Sequence, residues 1–163
     1  MALEIERKFL IEMPDLNWIA ENTECKIAYI VQTYLGKNES GFGNRVRRMK
    51  IGNEVKYYHT AKKSVSGITR IEIEKEISKA EYERFLEKKS KVISLKKTRY
   101  IVKGNGIKYE IDIYPFWKTT AIMEVELKNE KQKFDIPDFI KIIGEVTNNM
   151  DYTNQSLAKK YGV

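Results

Sequence analysis

Charges of one sign recur two residues apart in six segments of this chain: Glu4 with Glu6, Arg45 with Arg47, Glu72 with Glu74 and Glu76, Lys97 with Arg99, Glu110 with Asp112, and Glu124 with Glu126. Strand residues two apart share a face, so each set lays like charges side by side while Ile5, Val46, Ile111 or Val125 points the other way. A solvated sheet face also alternates apolar and charged residues, and for one strand that is the simpler account. Repetition argues against it here. Like neighbours repel, and a face that needs only solubility would intersperse the signs. A closed barrel with charged faces inward, and apolar faces covered from outside by helices, gives the doublets a role.

The remaining pattern supplies enough strands for closure. Alternating segments run Glu4 to Glu12, Lys26 to Leu35, Asn44 to Ile51, Glu54 to Lys63, Arg70 to Ile77, Ser94 to Lys103, Ile107 to Tyr114 and Ala121 to Lys128, about eight strands in all. Gly52-Asn53 and Gly104-Asn105-Gly106 read as tight hairpin turns, which makes the flanking strands antiparallel. Ser78 with Glu81 forms a capping box for a helix to about Lys91 that buries Tyr82, Phe85 and Leu86. A short helix is expected over Asn154 to Lys160, ended by Gly162, and another within Pro14 to Glu24 with Asp15 as its cap. The expected class is therefore α+β, a closed eight-stranded antiparallel β-barrel with a polar charged interior and helices packed outside.

At 163 residues, without repeats or a Pro-rich linker, the chain reads as a single domain over 1–163. Its one cysteine, Cys25, excludes an internal disulfide framework and suits a reducing compartment, where a buried structural thiol is expected. No signal pattern or membrane-length apolar run is present, so a cytoplasmic protein with no membrane partner is expected. A net charge of +7 attracts anions but does not choose among them.

Crowded carboxylates and guanidinium groups inside a barrel cost desolvation unless a ligand bridges them. A triphosphate with a divalent metal ion carries both kinds of interaction. Arg and Lys hold phosphate oxygens, and carboxylates hold hard cations such as Mg²⁺ or Mn²⁺. With only His59 and Cys25 as nitrogen and sulfur donors, a zinc site is not expected, and no Ser-His-Asp or Cys-His arrangement stands out. His59 reads as structural. A Gly-rich loop ending in Gly-Lys-Ser or Gly-Lys-Thr is absent, so side chains must grip the phosphates.

These residues resemble the CYTH domain proteins, also called triphosphate tunnel metalloenzymes. Glu4-Ile5-Glu6-Arg7-Lys8 is similar to that family's Glu-x-Glu-x-Lys signature. Further matches follow in the family's order. They are Gln32-Thr33-Tyr34-Leu35, Arg45-Val46-Arg47, Thr60-Ala61-Lys62, Arg70-x-Glu72-x-Glu74, Lys97-Thr98-Arg99-Tyr100, Glu110-Ile111-Asp112, Glu124-Val125-Glu126, and Glu145-Val146-Thr147 with Tyr152-Thr153-Asn154. Tyr114 stands two after Asp112, where the family often has an aromatic, and no motif places the segment Lys37 to Asn44.

The resemblance implies a triphosphate substrate and dependence on Mg²⁺ or Mn²⁺. Carried over, it makes Lys8, Arg45, Arg47, Lys62, Lys97 and Arg99 the phosphate grip and Glu4, Glu6, Asp112, Glu124 and Glu126 the metal ligands. Glu72 and Glu74 would orient the basic groups or water at the metal, so Lys8, Glu6, Glu72 and Glu74 form the catalytic set. The leading activity is hydrolysis of inorganic tripolyphosphate or of a nucleoside or organic triphosphate. The alternative within the family is a class IV adenylyl cyclase, which needs an adenine pocket that no sequence element specifies. From another class, the positive charge suggests a non-catalytic polyphosphate or RNA binder. RNA readers expose stacking aromatics, whereas most Tyr and Phe here alternate into strands, so no nucleic-acid partner is expected.

Overall fold

The alternating segments fold as strands and close on themselves. The structure, a computed structural model, describes residues 2–88 and 92–162. Its strands are β1 (Ala2–Glu12), β2 (Glu24–Lys37), β3 (Gly43–Ile51), β4 (Glu54–Ser66), β5 (Thr69–Ile77), β6 (Ile93–Gly104), β7 (Ile107–Ile113), β8 (Thr120–Glu126) and β9 (Ile142–Glu145). The helices are α1 (Leu16–Asn22), α2 (Lys79–Glu87) and α3 (Asn154–Tyr161), the last preceded by a single 3₁₀ turn, Met150–Tyr152.

Antiparallel pairing runs β5-β4-β3-β2-β6-β7-β8-β1, and β1 returns to β5, so eight strands close a barrel with β9 outside it on β1. One edge of β1 serves two partners. Residues 2–5 pair with 69–72 of β5, while Phe9, Leu10 and Ile11 pair with β9. The hairpins form as expected. Asn105 and Gly106 both have positive φ, 53° and 74°, as the tight turn between β6 and β7 requires, and Gly52 at φ 60° opens the β3–β4 turn.

Three features depart from the sequence expectations. The first is β9, whose Ile-Ile-Gly-Glu run carries no alternation. Its ladder with β1 holds it instead, extended by Val146 N donating to Lys8 O at 2.8 Å and Lys8 N donating to Thr147 Oγ1 at 3.0 Å, and on the exposed side Arg7 Nε and Nη2 donate to Glu145 Oε2 and Oε1 at 3.0 and 2.5 Å. Second, the barrel's outer face is covered only partly by helices. Phe9, Val102, Ile111, Met123 and Val125 pack under Ile19 of α1, but also under Phe134, Ile136, Phe139 and Ile140 from the connection between β8 and β9. Burying each such side chain contributes ~1.5–3 kcal/mol. Third, Cys25 is half-buried at the edge of this core rather than enclosed by it.

Capping fixes α1 and α2 where the sequence places them. Asp15 accepts from Trp18 N at 3.1 Å. Ser78 Oγ accepts from Glu81 N at 3.1 Å, and Glu81 Oε1 accepts in return from Ser78 N at 3.3 Å. From there α2 lays Tyr82, Phe85 and Leu86 against Val46, Ile77 and Tyr57, and His59 stacks on Phe85 with ring centroids 5.0 Å apart. The helix, expected to run to about Lys91, ends at Glu87, where Lys88 caps it with its N–H on Arg84 O, and 89–91 lie outside the described residues. Among those residues, no helix is long and apolar enough to cross a membrane.

Candidate active site

Parity along the strands sends the doublets inward, and the barrel encloses a cavity of about 640 Å³. Nine Lys or Arg side chains and seven Glu side chains line it. The inward rows do not stay charged to their ends. One step beyond Lys8, Glu124, Asp112 and Lys97 stand Leu10, Ile122, Tyr114 and Leu95, and Leu157 and Ala158 of α3 pack on these. These side chains form an apolar plug at the end of the charged interior.

Of the residues marked by the sequence, Glu4, Glu6, Lys8, Arg45, Arg47, Lys62, Glu72, Glu74, Arg99, Glu124 and Glu126 all face the cavity. Lys97 and Asp112 do not. They are buried in the barrel interior beyond the cavity, with Lys97 Nζ 2.8 Å from Asp112 Oδ2. Arg99 links this pair to the cavity: its Nε and Nη2 donate to the two Asp112 oxygens at 2.7 and 2.9 Å, and Nη1 donates to Glu110 Oε2 at 2.7 Å. Burial, then Arg99, pulls the Lys97 ammonium down to about 8.

Around the cavity the charges are arranged unevenly. Lys62 Nζ lies 3.0 Å from Glu4 Oε1 and 3.4 Å from Glu72 Oε2, and Lys8 Nζ lies 3.4 Å from Glu124 Oε1. Glu74 Oε2 takes Thr60 Oγ1 at 3.1 Å and Arg47 Nη2 at 3.4 Å. Arg45 and Arg47 each keep a buried Nε without a partner among the described residues. Burial, then Arg45 and Arg99, pulls Arg47 down to about 10, the mark of a cationic group short of counter-charge.

The carboxylates show the opposite shortage. Burial, then Glu124 and Glu4, pushes Glu6 up to about 8. Burial also works against ionising Glu124, but Lys8, Arg99 and Lys97 outweigh it and hold that carboxyl well below the usual range. A region with surplus guanidinium donors therefore adjoins one where burial and two neighbouring carboxylates favour the protonated form of Glu6. An anion with several oxygens, bound with a hard cation, satisfies both.

Comparison with known proteins agrees with this geometry. The CYTH domain pattern matches residues 2–161. The chain belongs to the CYTH family. An inorganic triphosphatase of Acetivibrio thermocellus is 31% identical over 160 residues, spanning 98% of this chain and 95% of that protein. The crystal structure of the inorganic triphosphatase NE1496 is 28% identical, with a TM-score of 0.56 over 97% of this chain and 95% of that one. The PH1012 protein from Pyrococcus horikoshii OT3 is 26% identical, with a TM-score of 0.55 over 77% and 80% of the two chains.

Triphosphatases of the CYTH family are metal-dependent in general. Among the described residues of this CYTH domain, no three His, Cys, Asp or Glu groups are drawn together as a finished cation cage. The donor types nonetheless fit, because the crowded Glu4, Glu6 and Glu124 are hard oxygen ligands whose mutual repulsion adds to burial in raising Glu6 and would be relieved by a cation. Sequence reasoning left Glu110, Thr60, Tyr34 and Asn154 without roles, although all four line the cavity and stand within the matching motifs. Glu110 was marked as half of a doublet. The other three are uncharged, and charge was the signal.

Proposed function

We propose that the protein is a metal-dependent triphosphatase of the cytoplasm that hydrolyses inorganic tripolyphosphate, using Mg²⁺ or Mn²⁺. The carrying observation is the polarity inside one cavity: Arg45 and Arg47 with Nε donors unpaired among the described residues, and Glu6 pushed toward its protonated form beside Glu4 and Glu124. Nine basic side chains against seven carboxylates leave an excess too small to neutralise a fully ionised linear triphosphate, and a divalent cation supplies the difference.

In this reading Arg45, Arg47, Lys62 and Arg99 bind phosphate oxygens, with Glu72 and Glu74 orienting Lys62 and Arg47 from behind. Glu4, Glu6, Glu124 and Glu126 would hold the metal ion, which when bound supplies charge neutralisation and polarises the phosphoryl group. Asp112 is reassigned. Its two oxygens are taken by Arg99 and Lys97, so it orients the phosphate grip rather than binding metal. Lys97, joined to Asp112, supports Arg99 without touching substrate. Lys8 lies between the acidic and basic sides, where its ammonium stabilises charge that builds up during phosphoryl transfer.

Incubating the protein with tripolyphosphate and either metal should release orthophosphate and leave pyrophosphate. Tripolyphosphate left intact while ATP gives cyclic AMP and pyrophosphate would assign the cavity to cyclisation instead. Tight binding of tripolyphosphate with no turnover of any triphosphate would leave a binding protein.

A further inference from the structure

Asn154 is a residue to which the charge pattern gives no role, yet it stands on the cavity wall as the first residue of α3. Its carboxamide is fixed from behind. The hydroxyl of Tyr114, which is 2% exposed, donates to Asn154 Oδ1 at 2.5 Å. Tyr114 is itself immobilised in the apolar plug, stacked on Phe116 at 5.2 Å and edge-on to Trp117 at 5.4 Å. The backbone that presents Asn154 is tied to the site as well, since Lys8 Nζ donates to Tyr152 O at 3.4 Å. With Oδ1 taken, Nδ2 is the amide group left over on this cavity-lining residue, and among the described residues no protein acceptor takes its hydrogens.

We propose that Asn154 is a substrate-binding residue, whose amide donates to a phosphate oxygen, and that Tyr114 is the positioning residue that turns the amide toward it. The inference rests on the triphosphatase reading and assigns that site a neutral donor. Three observations support an anion as the acceptor. Lys8 lines the same cavity and reaches the carbonyl of Tyr152 two residues before Asn154, Arg45 keeps an Nε there without a partner among the described residues, and the carbonyl end of the amide, which would repel an anion, is taken by Tyr114. Because Leu10, Leu95, Tyr114 and Ile122 fill the barrel beyond this point, the phosphate at Asn154 is an end of the chain rather than its middle. A neutral donor there adds orientation without adding charge that would slow release of product.

The test measures binding of imidotriphosphate, a slowly hydrolysed analogue, with Mg²⁺ by calorimetry on the whole protein. Asn154→Ala should weaken binding about tenfold, the effect of losing one hydrogen bond to a charged acceptor. Asn154→Asp should weaken it further while leaving the thermal midpoint at or above wild type, because an acidic residue suits the first turn of α3. Tyr114→Phe should weaken binding in the wild-type background and have no further effect alongside Asn154→Ala, which a merely structural role for the hydroxyl would not produce. Asn154→Ala binding as tightly as wild type overturns the inference alone, as does a Tyr114→Phe effect that persists undiminished in the double variant. Wild-type protein that binds neither imidotriphosphate nor tripolyphosphate overturns the triphosphatase reading and this inference with it.

Discussion

Asp112 and Arg99 meet through two parallel hydrogen bonds, Nε to Oδ1 at 2.7 Å and Nη2 to Oδ2 at 2.9 Å, with Asp112 wholly enclosed. Fork-to-fork geometry of this kind fixes the guanidinium plane as well as its charge. Lys97 shares the same carboxylate at 2.8 Å, so one anion serves two buried cations. Asp112→Asn should therefore destabilise the fold by about 3–5 kcal/mol, the range for removing one partner of a buried pair. Urea denaturation checks this. A stable Asp112→Asn protein that has lost only its response to metal would return Asp112 to the set of metal ligands.

Glu126 supplies the contrast. Its side chain is 51% exposed and lies 3.4 Å from Lys108, so the ion pair is worth little. Glu126→Gln should leave stability within about 0.5 kcal/mol of wild type while raising the Mg²⁺ or Mn²⁺ concentration needed for half-maximal turnover. An unchanged metal titration would remove Glu126 from the ligand set.

Arg45 and Arg47 should each matter to binding more than to folding, because each keeps a buried donor without a partner among the described residues. Replacing either with Ala is expected to cost triphosphate affinity about 1–3 kcal/mol, the loss of a charge-assisted hydrogen bond. Calorimetry with the slowly hydrolysed analogue measures this, and wild-type affinity in both variants would mean that the substrate lies elsewhere.

The acidic side of the cavity makes stability depend on pH. Glu6 ionises near 4.5 in the unfolded chain and near 8 when folded. Its contribution to stability is therefore full below pH 4.5 and is lost as pH rises through about 8, where the folded state binds the extra proton. Without metal, the thermal midpoint of the wild type should fall between pH 6 and pH 8.5 more than that of Glu6→Gln. Added Mg²⁺ should raise the wild-type midpoint more at pH 8.5 than at pH 6, because a bound cation replaces the proton. Equal slopes for the two proteins would show that Glu6 is not the group responsible.

Much of this architecture is legible in the sequence because strand parity is a two-state code. Once Glu4, Glu6 and Lys8 are placed on one face, Ile5, Arg7 and Phe9 have no choice but the other. The capping box at Ser78 and the Asn105-Gly106 turn are equally local, and both form. Parity reports the face but not the depth. Lys97 and Asp112 carry the right charges on the right face and still lie behind the cavity, since the neighbouring Leu95 and Tyr114 pack into the plug and close the interior around them. β9 escapes for a different reason. Its place depends on pairing with the edge of β1 at Phe9 to Ile11, more than 130 residues away in the chain, and no local pattern encodes that pairing.

Lys8 offers the sharpest separation of chemistry from binding. Its Nζ lies 3.4 Å from Glu124 Oε1 and 3.4 Å from Tyr152 O, on the same strand face as Glu4 and Glu6. Arg45 and Arg47, on β3, remain to hold the substrate when Lys8 is removed, so Lys8→Ala should change KM little. The ammonium acts on charge that grows only as the phosphoryl group transfers, and interactions confined to the transition state appear in kcat. A fall in kcat of roughly 10²–10³ is expected, comparable to deleting one electrostatic stabiliser from an enclosed site. Lys8→Met, which keeps most of the apolar stem, should show the same fall and so separate lost charge from lost packing. Steady-state kinetics with tripolyphosphate checks both variants, with the thermal midpoint measured in parallel. A rise in KM at constant kcat would make Lys8 part of the ground-state grip, and normal turnover in Lys8→Met would place the charge that matters on another residue.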